Sequence, residues 1–374
     1  MDQLDYTYDE IMADHPFAEP LVVQDLHCHG GYDEDGNYIP PRMLNRERAI
    51  KAWHEKLQSE TNRPLLDCPD DMFADFYPNV AQTKYLLSEG IRQPLIDILT
   101  QIGTVEGFGA IIGQVQIPDL QKLFVEDVRG TATAHLGKGL FEAHARDEAG
   151  FEDISGHRDM WYAVRDIAFE YPECGDPMQM MMKQMQGGGG KGGEAMAGMA
   201  SAVMPQNRIV PEISKQAEIM ISRMTGLLLI ERLAFQTFSW AKEVLGSSED
   251  LAHPEDTTRI VDFICADEYP HVDYTQVALT EMQSRTFIGE DGQRIPGIDV
   301  IEPIWKNSMK GMFGFSGKRS TRRDMIISLL NQDLEGNRRK DEILRNFHDL
   351  ETPDVMPEVH QEANLAAADR GMTY

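Results

Sequence analysis

Apolar residues recur at helical spacing over most of the chain beyond its first quarter. From Asp119 to Gly150 they lie three and four positions apart, which predicts one long amphipathic helix with Asp119 as N-cap and Gly150 as its stop. Further helices are predicted at 156–171, 211–246, 257–287, 320–334 and 340–350. No series of alternating strands accompanies them, so the pattern predicts a mainly α protein.

The first 80 residues are interrupted by prolines and leave room only for short elements, such as a helix at 45–60. A broken helical pattern follows at 81–117. Asp-Gly turns predict small surface hairpins at 32–40 and 287–296. We therefore divide the chain into an irregular N-terminal region with short helices packing on the core (1–118), a helical bundle (119–290) and a helical C-terminal extension (291–374).

Within the bundle, residues 175–208 are rich in methionine and glycine. Glycine-rich composition predicts a flexible loop or a mobile lid. The methionines are also soft donors that suit copper(I), and that interpretation stays open beside their role as pliable apolar filler.

Glu231 lies in an apolar run from Leu227 to Phe235 in which only Arg232 is a second charged residue. A helix that is apolar on all sides is buried. A buried carboxylate is costly unless it is paired or coordinates a metal. Glu231 is therefore a candidate metal ligand, with a buried salt bridge to an arginine from elsewhere as the alternative.

Two stretches nearly repeat each other, at 168–173 (AFEYPE) and 266–271 (ADEYPH). In the second, Glu268 and His271 are three residues apart and share one face of a helix. Pro270 between them predicts a kink. One Glu on a helix followed by Glu-x-x-His on the next is how four-helix bundles hold two metal ions, so Glu231, Glu268 and His271 form one candidate half of such a site.

The other half is predicted from the first repeat and the helix before it. Glu142, with apolar neighbours, takes the part of Glu231, while Glu170 and Glu173 take the parts of Glu268 and His271. A carboxylate in place of imidazole favours a harder metal. Three histidines near these carboxylates are additional candidates: His135, His144 and His157.

Charge and cysteine usage narrow the class of protein. With 35 basic and 62 acidic residues the net charge is −27, which disfavours nucleic acid and anionic membrane surfaces as partners. The four cysteines include no C-x-x-C pair, which argues against a disulfide framework or a zinc knuckle. The N-terminus is acidic, and no apolar run long enough to span a membrane stands out, so we expect a cytoplasmic protein.

The residues Glu142, Glu170, Glu231, Glu268 and His271 resemble the ferritin-like superfamily of di-iron and di-manganese carboxylate proteins over 119–287. The resemblance implies a four-helix ferritin-like bundle core and a non-haem oxidase or oxygenase with two iron ions, or iron and manganese. The partners it implies are dioxygen and a small organic substrate. A homodimer stays open, and we expect neither nucleic acid nor a membrane as partner.

Two other classes stay open. The segment Asp25-Leu26-His27-Cys28-His29 resembles the first metal motif of amidohydrolase-type barrels, which implies a zinc-dependent hydrolase and many alternating strands and helices. The second alternative is a non-catalytic helical scaffold whose buried charges pair with each other.

Overall fold

A computed structural model describes residues 3–17, 19–69, 76–174, 208–313 and 318–351. The chain is mainly helical, with 62% helix and 6% strand, which confirms the predicted class. The helices are α1 (Tyr8–Ile11), α2 (Met43–Thr61), α3 (Val80–Ser88), α4 (Gln93–Glu106), α5 (Leu120–Leu123), α6 (Ala132–His135), α7 (Phe141–Ala149), α8 (His157–Ala168), α9 (Lys215–Ser247), α10 (Pro254–Gln283), α11 (Gly297–Phe313), α12 (Lys318–Asp333) and α13 (Lys340–Asp349).

The strands pair into four two-stranded antiparallel sheets. They are β1 (Val22–Val23) with β2 (Leu26–His27), β3 (Gly31–Tyr32) with β4 (Tyr38–Ile39), β5 (Gly150–Phe151) with β6 (Ile154–Ser155), and β7 (Thr286–Ile288) with β8 (Arg294–Pro296). The predicted hairpins at 32–40 and 287–296 are confirmed. In the described part of the chain, His27 and His29 belong to a short hairpin and the loop after it, and the barrel that their motif implies is not formed.

Five helices, α4, α7, α8, α9 and α10, surround the centre of the molecule. The long helix α9 packs along α10, α10 also packs on α8, and α8 packs on α4. A 3-10 helix at Gly109–Gln114, directly after α4, contacts both α7 and α9. The centre is therefore built partly from α4, which lies within the predicted N-terminal region (1–118).

The helices α9 and α10 form where their pattern predicts them. Ser214 caps α9, its hydroxyl accepting a hydrogen bond from the Ala217 amide, as N-cap serines do. α10 begins at Pro254 with acidic residues in its first turn, which suits the positive end of the helix dipole. Both are buried over most of their length, so packing rather than propensity holds them.

The long helix predicted at 119–150 is wrong. This segment contains the short helices α5 and α6, then a π-type turn at Leu136–Leu140, then α7. Gly130 has a φ of +64° and Gly139 a φ of +115°, in the region that glycine tolerates and other residues avoid. A Cβ at Gly139 would also lie 2.9 Å from Ile11 Cγ2. Two glycines thus break the helix, and α7 starts with a helical phase of its own.

Residues Gln93–Gln114 are long and apolar enough to cross a membrane by length and composition, contrary to our expectation. About two-thirds of the most apolar window is buried inside the protein (67%). The segment comprises α4 and the 3-10 helix that lines the centre, so here its apolar character serves the core. The methionine- and glycine-rich segment predicted at 175–208 lies, except for its last residue, outside the described residues.

Candidate metal centre

Two clusters of acidic and histidine side chains lie buried between these helices. In each cluster four ligand atoms lie within 4.8 Å of one another. We name them by their content: the two-histidine position is His144, Glu148, Glu231 and His271, and the three-carboxylate position is Glu106, Glu148, His157 and Glu268. All seven side chains are buried, at most 8% exposed.

Two carboxylates link the positions. Glu148 Oε1 lies 3.7 Å from both His144 Nε2 and His271 Nδ1, whereas its Oε2 lies 3.5 Å from His157 Nδ1. Glu268 also divides its oxygens, with Oε1 2.8 Å from His157 Nδ1 and Oε2 2.6 Å from His271 Nδ1. Each carboxylate thus presents one oxygen to each side, the arrangement needed to bridge two ions.

Each of the three histidines is held by one ring nitrogen. Asp267 Oδ2 lies 3.4 Å from His157 Nε2. Asp147 Oδ2 lies 3.0 Å from His271 Nε2. The Tyr274 hydroxyl lies 3.0 Å from His144 Nδ1. Histidines that bind metals are nearly always anchored through their second nitrogen in this way, because the anchor fixes ring orientation and tautomer.

The opposite ring nitrogens face the carboxylates. Besides the contacts of Glu148 and Glu268, His144 Nε2 lies 3.3 Å from Glu231 Oε1. Several of these close approaches are not hydrogen bonds: among the described residues His144 Nε2, Glu148 Oε2, His157 Nδ1 and Glu268 Oε1 make none. Buried polar atoms are rarely left without a partner. Four such atoms converging at one place, all of them metal donors, fit a bound cation.

The same trio of residues occurs twice. Asp147-Glu148 is followed by His157, and Asp267-Glu268 is followed by His271. The aspartates cross between the halves: Asp147 anchors His271, while Asp267 anchors His157. The counterpart of Asp267-Glu268 is therefore Asp147-Glu148.

In α10 the trio is formed by one continuous helix. Residues three apart project from the same face, which brings Glu268 and His271 side by side. Pro270 does not end α10, which runs on to Gln283. The kink predicted there is thus compatible with an unbroken ligand face.

In the other half a hairpin interrupts the trio. Glu148 is near the end of α7, β5 and β6 follow, and His157 is the first residue of α8. The hairpin closes tightly at its base: a Cβ at Gly156 would lie 2.3 Å from the Glu148 carbonyl oxygen, and one at Gly150 would lie 2.5 Å from the Ile154 carbonyl oxygen. Only glycine permits this close approach, which returns the chain to Glu148 and brings His157 beside it.

Electrostatics in the cluster are dominated by burial and mutual repulsion. Burial, together with the charges of Glu148 and Glu231, raises the pKa of Glu106 well above its ordinary value. Burial and the same two charges also raise the pKa of Glu268 well above its ordinary value, and burial raises the pKa of Glu148. Burial opposes ionisation of Glu231 as well, but the adjacent imidazoles of His144 and His271 hold its pKa below the ordinary value.

The pKa values of His157 and His271 shift in opposite directions in this cluster. Burial would lower the pKa of His157, but the charges of Glu268 and Glu148 outweigh it and raise that pKa well above normal. Burial, assisted by His144, lowers the pKa of His271 to about 3. In the absence of a cation, the surrounding carboxylates therefore favour the protonated form of His157. A divalent ion replaces such protons when it binds.

Asp147 is fixed as an anion by two buried arginines. Arg42 donates to Asp147 Oδ1, and Arg46 donates to Oδ2 at 3.1 Å. Burial alone would raise the pKa of Asp147, but these guanidinium groups and His271 hold it well below its ordinary value. Asp267 is held differently, by the Tyr38 hydroxyl, which donates to Oδ1 at 2.6 Å.

The structure brings Glu231, Glu268, His271, His144 and His157 together, and leaves the other predicted ligands outside. The Glu142 side chain is 45% exposed and is paired with Arg146. Glu170 and Glu173 are exposed beyond the end of α8. His135 lies elsewhere, accepting a hydrogen bond from the Tyr6 amide and stacked on Trp53.

The physical reasons are local. Since α7 begins after the break at Gly139, its inward face carries His144 and Glu148, and Glu142 points away. α8 ends at Ala168, and Glu170 and Tyr171 both have positive φ, so the chain turns out toward solvent before Pro172. The segments 168–173 and 266–271 are thus similar in sequence but differ in structure.

Sequence reasoning missed Glu106 and Glu148. Glu106 lies near the end of an apolar run, between Val105 and Gly107, the same signal that identified Glu231. Glu148 was marked by the Asp-Glu pair that recurs at 267–268. The six-residue repeat at 168–173 and 266–271 instead predicts Glu170 at this place.

The motif of His27 and His29 lies against this site rather than forming one of its own. His27 Nδ1 lies 3.0 Å from Asp153 Oδ2, on the turn between β5 and β6. His29 is fully buried, and its ring centre lies 5.8 Å from that of His157. The motif therefore packs against the hairpin that separates Glu148 from His157.

Comparison of the chain with protein-family models, with curated proteins and with solved structures found no match. The buried histidine and glutamate clusters could hold metal ions.

Proposed function

We propose that this chain is a non-haem di-metal oxidase or oxygenase that binds two iron ions, or iron and manganese, and activates dioxygen on a small organic substrate. The observation that carries the proposal is the arrangement of His144, His157 and His271. Each is anchored through one ring nitrogen and aims the other at a shared group of carboxylates. A helical protein with such a centre is compatible with a ferritin-like bundle.

A metal centre accounts for the buried charge better than a scaffold does. Four glutamates are buried together, and a buried charge is strongly unfavourable unless a partner neutralises it. The scaffold alternative predicts an arginine against Glu231. Within the described part of the chain, Glu231 Oε1 lies 3.3 Å from His144 Nε2. The adjacent Arg232 donates to Asp67 Oδ1 at 2.9 Å instead.

The donor set favours particular metals. Glutamate oxygens are hard donors and imidazole nitrogens are intermediate, which suits iron and manganese. Zinc also binds these donors. The two clusters would hold two ions close together, and iron or manganese bound there would supply electrons for the reduction of dioxygen.

The residues of the chain perform the remaining tasks. The seven ligands are buried, which excludes bulk water, and a small apolar molecule such as dioxygen enters such an interior more readily than a charged substrate does. Asp147 and Asp267 orient His271 and His157, and Tyr38 holds the Asp267 carboxylate. Glu106 and Glu268 supply carboxylate oxygens to the three-carboxylate position.

Elemental analysis of protein loaded anaerobically with iron(II) tests the proposal. We expect two ions per chain and an absorbance change when oxygen is admitted. Glu231→Gln is expected to lower the metal content, whereas Glu142→Gln, on the exposed face of α7, is the matched control and is expected to retain it. Absence of bound metal would contradict the proposal, as would hydrolytic activity with zinc in protein that does not react with oxygen when iron-loaded.

A further inference from the structure

We propose that the two metal positions are chemically unequal: His144 makes the two-histidine position the tighter and more iron-selective one, and leaves manganese to the three-carboxylate position. This inference rests on the proposed function, since it presumes that both positions bind a metal. It adds an assignment of which metal each position prefers and of the residue that decides it.

The asymmetry is a property of one side chain. The two Asp-Glu-His trios match each other, and each position also takes one glutamate from another helix, Glu231 or Glu106. His144, four residues before Glu148, has no equivalent among these pairs. The residue four before Glu268 is Ile264, which is apolar and fully buried.

His144 is placed as a ligand rather than as filler. Its ring stacks on that of His271, with centres 3.8 Å apart and planes within 1° of parallel. With Nδ1 at the Tyr274 hydroxyl, Nε2 is directed toward Glu231 and Glu148. The two imidazoles therefore stand side by side and can present nitrogen to one ion.

The donor sets then differ in their number of imidazole nitrogens. The two-histidine position offers two imidazole nitrogens with Glu148 and Glu231, and Glu268 Oε2 also reaches His271 Nδ1. The three-carboxylate position offers one nitrogen and three carboxylates. Imidazole suits iron and later divalent metals, whereas carboxylate oxygen suits manganese and magnesium, and iron(II) binds more tightly than manganese(II) at nitrogen-containing sites. The position with two imidazoles should thus discriminate more strongly between them.

Calorimetric titration of metal-free protein with iron(II) under argon, and separately with manganese(II), measures the two affinities. We expect two classes for iron, separated by about tenfold or more, and a smaller separation for manganese. In crystals grown with both metals, anomalous scattering at the iron and manganese absorption edges should place iron beside His144 and His271 and manganese beside Glu106.

His144→Gln tests the residue itself. Loss of an anchoring partner alone costs about 10- to 100-fold in metal affinity, so loss of a ligand should weaken the first iron class at least as much and reduce the preference for iron over manganese. His54→Gln, on α2 away from the site, is the control and should leave both classes unchanged. Circular dichroism establishes that each variant is folded.

The outcomes separate the two proposals. If the wild-type chain binds neither metal, the proposed function fails and this inference fails with it. If two ions bind with equal affinity, or both edges appear equally at both positions, the function stands and the inequality is overturned. The crystallographic assignment in the wild-type protein decides the question even where His144→Gln does not fold.

Discussion

The two halves of the centre reach the same arrangement through different backbones. In α10, Asp267, Glu268 and His271 follow one another on a single continuous helix. In the other half, Asp147 and Glu148 end α7, and His157 opens α8 after a hairpin. The comparison shows that the positions of the side chains, and not the continuity of the helix, are what the fold preserves. Glycine at the base of the hairpin makes this possible.

The largest effect is expected at Glu148, which belongs to both clusters. Glu148→Gln removes a charge from both clusters, so we expect loss of both ions, whereas Glu106→Gln should affect only the three-carboxylate position. Metal content per chain after dialysis distinguishes the two variants. Equal loss in Glu148→Gln and Glu106→Gln would contradict the bridging role of Glu148.

The crossed aspartates are next in expected effect. Asp147→Asn should weaken the two-histidine position and Asp267→Asn the three-carboxylate position, each by about 10- to 100-fold, since each anchors the histidine of the opposite half. Asp147→Asn should also destabilise the fold by about 3–5 kcal/mol, because it leaves Arg42 and Arg46 buried without their anion. Metal titration and urea unfolding of both variants measure this. Weakening of the same position by both substitutions would refute the crossing.

The hairpin base provides a test specific to the interrupted half. Gly156→Ala places a Cβ against the Glu148 carbonyl oxygen, so we expect a loss of about 2–3 kcal/mol in the free energy of unfolding. Gly137→Ala, where the nearest atom outside the local backbone is Ile117 Cδ1 at 3.4 Å, is the control and should cost less. Similar unfolding midpoints in urea for the two variants would contradict the close contact at the base of the β5–β6 hairpin.

The smallest effect is that of pH on the metal-free protein. The pKa of His157 is raised well above 6.5, so its contribution to stability is complete below pH 6.5 and is lost as the pH rises through the folded-state value. The raised pKa values of Glu106 and Glu268 act in the same direction, since the folded state holds protons that the unfolded chain has released. Stability of metal-free protein should therefore fall as the pH rises above 6.5.

Loading with metal should remove much of this dependence, because the ions take the place of the protons. Urea midpoints between pH 6.5 and higher pH, with and without metal, measure the difference. If the urea midpoint of the metal-free protein stays constant or rises over this range, the predicted decrease in stability is wrong.

The sequence predicted the continuous half of the centre and not the interrupted one. Glu231, Glu268 and His271 were identified because helical spacing alone places them, and spacing can be read from the chain. Glu148 and His157 are nine positions apart and meet only because Gly150 and Gly156 let the backbone return on itself. Such a return depends on backbone angles and close contacts that hydrophobic periodicity does not encode.

The remaining differences have similar origins. The helix predicted at 119–150 fails at Gly130 and Gly139, whose positive φ values are tertiary features. Glu106 was available to the reasoning that found Glu231, but the glycines around it at 103, 107 and 109 indicated a broken region instead of a core helix. The alternative motif at His27 and His29 was read as a metal site, whereas His27 pairs with Asp153.

The closed base of the β5–β6 hairpin has a consequence for anyone who wishes to modify this protein. Glu152 and Asp153 at its tip are exposed. The base of the hairpin is closed by Gly150 and Gly156, which lie in contact with each other. A fluorophore, a spin label or a short inserted peptide at Glu152 would thus lie a few residues from Glu148 and His157 while remaining outside the buried clusters. Exposed turns of this kind are where insertions are best tolerated.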